Sequence, residues 1–446
     1  MNKRKTRFKK LTSGLGWMLA AFSALVLFAI STLYITMGPR NTSKYHGNRR
    51  VTIEEKSGRY NFYKNGEPFL IEGASGFTHI KELSECGANT IMCWDTSKLA
   101  NTLKGAAQNN LSVIIGLDIP PSNDTSYVDP KNVAKLFNAY SKIISRYKDD
   151  PSVLAWCLGN ELVLPVSLFT NQFYKAYNQM LGYIHNIDPN HPVGTSIVNV
   201  SRRSIIMTKW KIPALDFYYL NIYNSIKTLP DQLDLIKWIW KGPYLIGEWA
   251  PMGGWEAPLT TWLAAIENTS TEKAERFYNF FTKYMPLKDS RFLGSIAFYW
   301  GSRQEYTKSW FSIFDESGSA TEIKEALNDC WKDTVTIHAS PKIKYVSIDN
   351  LTSKDNIILE SGSINSTALV LSPSTPADTL QYSWQVFPDW YDSDKPSTVN
   401  GLFTDSTRPN PSFRAPSRVG PYRVFVTVFN SRGYCANANI PIYVVK

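Results

Sequence analysis

The sequence predicts an α/β chain: a (β/α)8 TIM barrel followed by a small all-β, immunoglobulin-like sandwich, with one N-terminal transmembrane helix ahead of both. Three observations predict this. Short apolar runs alternate with amphipathic stretches from Val51 to about residue 338, the pattern of repeated βα units. Two of those runs, VLAWCLGNE and PYLIGE, end in Glu161 and Glu248, as buried parallel strands do when they deliver side chains to one face of a barrel. After Pro341 the pattern becomes period-two alternation, broken by Pro, Ser, Asn and Asp, with no helical stretch.

The N-terminus comes first in order. Residues 1–14 are basic: Lys3, Arg4, Lys5, Arg7, Lys9 and Lys10 supply six of the formal +10, leaving only +4 for the rest of the chain. That distribution serves topology, and no nucleic-acid partner is expected. Residues 15–37 are 23 residues without a charge, long enough to cross a bilayer as a helix. With basic residues before it, the segment reads as a signal anchor, placing the chain in the cell membrane as a single-pass protein whose bulk lies on the non-cytoplasmic side. Secretion after cleavage near Ala29-Ile30-Ser31 is the alternative; the apolar run continues past that point to Met37. Residues 38–50 read as a polar linker.

The barrel is expected over 51–338. Its candidate strands are 69–75, 89–94, 111–117, 152–159, 192–198, 217–223, 243–248 and 295–300. Between them, Val133, Leu136, Phe137, Tyr140, Ile143, Ile144 and Tyr147 fall at helical spacing, as do Phe173, Tyr174, Tyr177, Leu181 and Ile184. Thr269-x-x-Glu272 and Ser319-x-x-Glu322 have the form of capping boxes opening two later helices. Eight strands alternating with helices fit a single barrel in size. The sandwich is expected over 341–446, with strands such as 379–387 and 422–429.

An apolar content of 43% with 19% charge is that of a globular chain. The five cysteines have no paired spacing, and the five histidines are scattered, so neither a disulfide scaffold nor a metal site is indicated. Aromatics are abundant, with 14 Trp, 24 Tyr and 22 Phe; flat rings suit pyranose faces, though they suit ordinary cores as well.

Counted by spacing, Glu161 ends the fourth strand and Glu248 the seventh. Strands four and seven face each other across a barrel mouth, and two converging carboxyls are the minimum equipment for cleaving a glycosidic bond. The arrangement resembles the clan of retaining glycoside hydrolases whose acids lie on strands four and seven, including glycoside hydrolase family 2, the family 5 cellulases and mannanases, and the β-1,3-glucanosyltransferases. The matching pieces run from about residue 58 to 330: RYNFYKNGEPFLIEGAS, CGANTIMCWDT, WCLGNE, IGEW and WFSIFDESGSAT.

The resemblance implies Glu161 as general acid/base and Glu248 as nucleophile. It implies Asn160 as a partner of the sugar 2-hydroxyl, Tyr223 as a hydrogen-bond donor to Glu248, and Trp300 as an aromatic platform. Trp94, Trp249 and Trp255 are further candidates to line sugar subsites. Asp95 and Asp118, which follow strands two and three, read as solvated loop carboxylates. One departure stands out: Met92, in NTIMCW, occupies a place where many relatives carry an arginine that supports the nucleophile. The expected function is a membrane-anchored retaining hydrolase or transglycosylase of a β-linked, β-glucan-like oligo- or polysaccharide, with no metal or organic cofactor. The alternative is a catalytically weak or inactive carbohydrate-binding barrel of the cell envelope.

Overall fold

The computed structural model of the chain describes residues 17–28, 50–167, 171–250, 252–389 and 397–446. Its centre is a closed barrel of eight parallel strands: Ile71–Gly76, Thr90–Cys93, Ser112–Leu117, Val153–Leu158, Val193–Val198, Phe217–Asn221, Tyr244–Trp249 and Phe292–Trp300. These are the eight expected runs, in order. Strands three, four, six and seven are buried at every position, which is why they read as unbroken apolar runs. Met92, Ile114, Leu154, Cys157, Tyr219 and Leu245 fill the interior, so the barrel is a packed core and not a pore.

An antiparallel three-stranded sheet, Val51–Lys56, Arg59–Lys64 and Glu67–Phe69, precedes the barrel and closes its N-terminal end. Phe62 is its plug, meeting Phe217 edge to face at 5.6 Å. Sequence reading left these strands merged with the first βα unit, although Ser57-Gly58 and Asn65-Gly66 marked both turns. All four of those residues have positive φ (52°, 76°, 53° and 87°), the requirement of a two-residue hairpin turn.

The expected helices form as Pro130–Tyr147 and Gln172–Ile187, each capped by an Asp or Asn side chain. Thr269 and Glu272 make a full capping box at the head of Ser270–Tyr284. Thr269→Ala should therefore cost about 0.5–2 kcal/mol, read from the shift of a urea midpoint; a shift indistinguishable from zero would mean the box contributes nothing. The second expected box does not form. Ser319 donates its N–H to Asp315, and Glu322 is drawn away to His338 Nδ1 at 2.8 Å and Lys342 Nζ at 2.9 Å. Thr321 caps Glu322–Lys332 without a side-chain bond.

The C-terminal part is a small β-sandwich. One sheet contains Leu380–Pro388, Gly420–Asn430 and Tyr434–Val445; the other contains Ile343–Ile348, Ile364–Leu371 and Ser412–Arg414. Trp384, Val426, Phe413 and Ile440 are in its core. Ala320–Thr321, just before the last barrel helix, pairs with Tyr434 and Cys435, so one sandwich sheet extends into the barrel's own chain.

The transmembrane helix expected over 15–37 is overturned. Of that segment the described residues are 17–28, and they are helical. Among the described residues no helix is long and apolar enough to cross a membrane. Absence of charge sets how apolar a segment is, and helix length is a separate requirement. The membrane partner and the single-pass, cell-membrane location fall with that helix. The basic segment, the cleavage point at 29–31 and residues 38–49 of the linker lie outside the described residues.

Candidate active site

Glu161 stands three residues beyond the fourth strand. The chain turns there through two left-handed positions, Gly159 (φ 85°) and Glu161 itself (φ 48°). Glycine suits the first because a φ of 85° is one that residues with a Cβ rarely adopt. A glutamate held at positive φ costs on the order of 1 kcal/mol, and such strained residues cluster at functional positions. Glu248 lies within the seventh strand, where pairing with the sixth strand slips between Ile246 and Glu248. That irregularity re-aims the carboxylate at the mouth, and Glu248 is 6% exposed.

The sixth strand ties the two acids together. Asn221 Nδ2 donates to Glu161 Oε1 at 3.1 Å and to Asn160 Oδ1 at 3.2 Å. Two residues on, Tyr223 donates its hydroxyl to Glu248 Oε2 at 3.1 Å. Asn221 is a site residue that sequence reading missed. Its parity with Phe217 and Tyr219, both inward-facing, was the available signal.

Burial raises Glu248 to about 8, and repulsion from Glu161 adds to the rise, while the Tyr223 hydroxyl and the Arg303 charge pull the other way. Glu161, exposed at the mouth, is also raised, first by the protein packed around it and then by Glu305, with Asn221 opposing. Met92 is sealed in the barrel interior. The cation that acts on Glu248 comes instead from the loop after strand eight. The Arg303 guanidinium lies over Phe298 (5.1 Å) and Tyr299 (5.5 Å), and its Nε donates to Glu305 Oε2 at 2.7 Å.

The tryptophans separate. Trp249 follows an inward carboxylate and so points outward, packing on Phe277 and Phe281. Trp300 is fully buried behind the wall, against Phe314 and Trp331, with Nε1 donating to His79 O at 3.0 Å. Trp94 lies over the backbone of Gly116 at the top of the interior core. The exposed aromatic beside the acids is Trp255, 57% exposed and edge-on to Tyr223 at 5.0 Å. Asp95 is engaged by Ser97 in its own loop.

No protein-family model matches the chain. Mannan endo-1,4-beta-mannosidase F of Aspergillus clavatus is 36% identical over 72 residues, 16% of either chain. A putative mannan endo-1,4-beta-mannosidase 4 of Arabidopsis thaliana is 30% identical over 88 residues, 18% of this chain and 21% of that protein. Over these short stretches the barrel is similar at low identity to mannan endo-1,4-beta-mannosidases. The matched stretch spans only about a sixth of the first curated relatives' length (16%). Among solved structures, an FMN-binding beta-glucuronidase from Facaelibacterium prausnitzii L2-6 covers 89% of this chain and 59% of its own, at 13% identity and a TM-score of 0.50. That likeness concerns the fold.

Proposed function

We propose that the barrel mouth is a β-glycan site of the retaining-glycosidase type, and that its turnover is weak at neutral pH. The observation that supports this is that Asn221, ending the sixth strand, bonds Glu161 while Tyr223, two residues beyond that strand, bonds Glu248. In the proposed reaction a Glu248 oxygen attacks the anomeric carbon while the glycosidic C–O bond breaks and Glu161 protonates the leaving oxygen. Glu161 then takes a proton from water, which attacks the same carbon and releases Glu248. The curated relatives are mannan endo-1,4-beta-mannosidases, so β-1,4-mannan joins β-glucans as a first substrate.

Weakness follows from where the proton sits. The reaction needs Glu248 ionised and Glu161 protonated, yet burial and then the Glu161 charge keep Glu248 protonated up to about 8. The productive arrangement is a minor one, and the pH profile reports two apparent values that belong to the pair. Met92 and this inverted proton preference also favour a second reading, a carbohydrate-binding barrel with no turnover. Reducing-end release from mannan and β-glucans, measured beside binding, separates the two. Binding by wild type and Glu248→Gln alike, with no product from wild type between pH 5 and 9, would establish the binder.

Arg303 is assigned the charge that Met92 lacks. Arg303→Met should lower kcat/KM about 10–100-fold, the usual scale for a lost positioned charge, and move the acid limb of the profile upward. Arg303→Lys should restore part of both. A drop with no movement of the limb would make Arg303 a packing residue only.

A further inference from the structure

We propose that the cleft between the loop after strand eight and the C-terminal sandwich binds the chain of a neutral β-linked hexosan beyond the sugar held at the two acids. This rests on the reading above and extends it. The cleft has a volume of about 790 Å³, within the roughly 300–1,000 Å³ of ordinary ligand sites. Ser302, Gln304 and Tyr306 form one wall; Gln385, Thr398 and Asn400 form the other. Neutral groups that both donate and accept, beside an aromatic face, match sugar hydroxyls and the apolar faces of pyranose rings.

The charges in the cleft are already engaged. Lys308 meets Gln385 at 2.5 Å and Glu316 at 3.5 Å. Arg423 donates to Asp389, Asn439 and the Ala265 carbonyl. An acidic polymer would find its natural partners occupied there, so the lining favours a neutral one.

Asp389 points to a missing ligand. Its side chain is 5% exposed and Oδ1 accepts from Arg423, while among the described residues the buried Oδ2 has no hydrogen-bond partner. A buried carboxylate oxygen without a donor is costly, and its residue belongs to the wall of this polar cleft.

A chain of aromatic contacts leads from the acids toward the cleft. Tyr306, in its wall, lies 6.3 Å from the exposed ring of Trp255. Trp255 abuts Tyr223, which donates to Glu248. A polysaccharide leaving the mouth therefore meets an aromatic surface and then the polar cleft, while a disaccharide reaches neither in full.

The test is calorimetric titration of the full-length protein with mannohexaose, cellohexaose and laminarihexaose, each paired with its disaccharide. One hexasaccharide should bind at least ten-fold tighter than its disaccharide. Asn400→Trp and Ser302→Trp fill the cleft from exposed positions on opposite walls, and each should bring that ratio close to one. Equal affinity for both lengths in wild type, or a ratio unchanged in Trp variants that melt like wild type, overturns the proposal. Turnover of aryl β-mannoside and β-glucoside by wild type, which needs no cleft, tests the reading of the acids separately.

Discussion

Glu248→Gln is expected to cut turnover by on the order of 10³-fold or more and, at pH 8, to raise the melting temperature. The first effect follows from the proposed mechanism, because an amide cannot form the glycosyl ester. Glu161→Gln should cost about 10²–10⁴-fold, the range for a positioned general acid, and most on substrates with poor leaving groups.

The stability effect has a defined sign. Folded Glu248 keeps its proton to about 8, against 4.5 when free in solution. Below 4.5 both states are protonated and the group contributes nothing. Between 4.5 and 8 the unfolded chain releases the proton and the folded one retains it, so stability falls as pH rises. Above 8 the loss is complete, at most about 5 kcal/mol. Glutamine carries no such penalty and still accepts from Tyr223, so the melting gap should open from pH 4.5 to pH 8. Wild-type turnover in the variant would remove Glu248 from the chemistry, and a gap that ignores pH would remove the buried proton.

Lys273→Met is expected to destabilise the protein by about 3–5 kcal/mol, the scale for breaking a buried ion pair from one side. Lys273 and Glu267 are both sealed where the barrel meets the sandwich, with side chains 7% and 1% exposed. Glu267 accepts from Lys273, Thr307, Ser309 and Asn439, so one carboxylate gathers a barrel helix, the loop after strand eight and a sandwich strand. Burial works against its charge, but Lys273 and these donors outweigh that and hold the carboxyl below its usual range. Without the ammonium, the charge is left buried and unbalanced. Urea denaturation followed by tryptophan fluorescence reads the change. A loss below about 1 kcal/mol would mean the contact is wet and the two parts dock by other surfaces.

Much of the architecture was legible in the chain because its signals are local. Burial on both faces makes a strand apolar throughout, so the eight runs and their order could be counted directly, and the count put Glu161 and Glu248 at the ends of strands four and seven. Thr269 and Glu272 likewise carry their own cap. Ser319 and Glu322 have the same spacing and no cap, because His338 and Lys342 arrive from beyond the helix and take the carboxylate.

The side-chain assignments were less legible, and each difference has a geometric reason. Trp249 and Trp300 sit at strand ends, as platform residues would. Which way a ring faces depends on strand parity and on slips in pairing, and both rings go into packing outside the mouth. Asn221 gave no signal beyond parity, and Arg303 sits in a loop whose path is set by Ser312 and Glu305.

The sequence alone determined the period of each segment, hence a parallel barrel, an appended β-sandwich and two carboxylates on opposite strands, because period and burial are properties of neighbouring residues. Only the tertiary structure decided that Asn221 bonds Glu161 while Tyr223 bonds Glu248, that the Arg303 charge from the loop after strand eight acts on Glu248, and that barrel and sandwich share a buried charge and a polar cleft. Those depend on contacts between residues dozens to well over a hundred positions apart, whose distances no local pattern encodes.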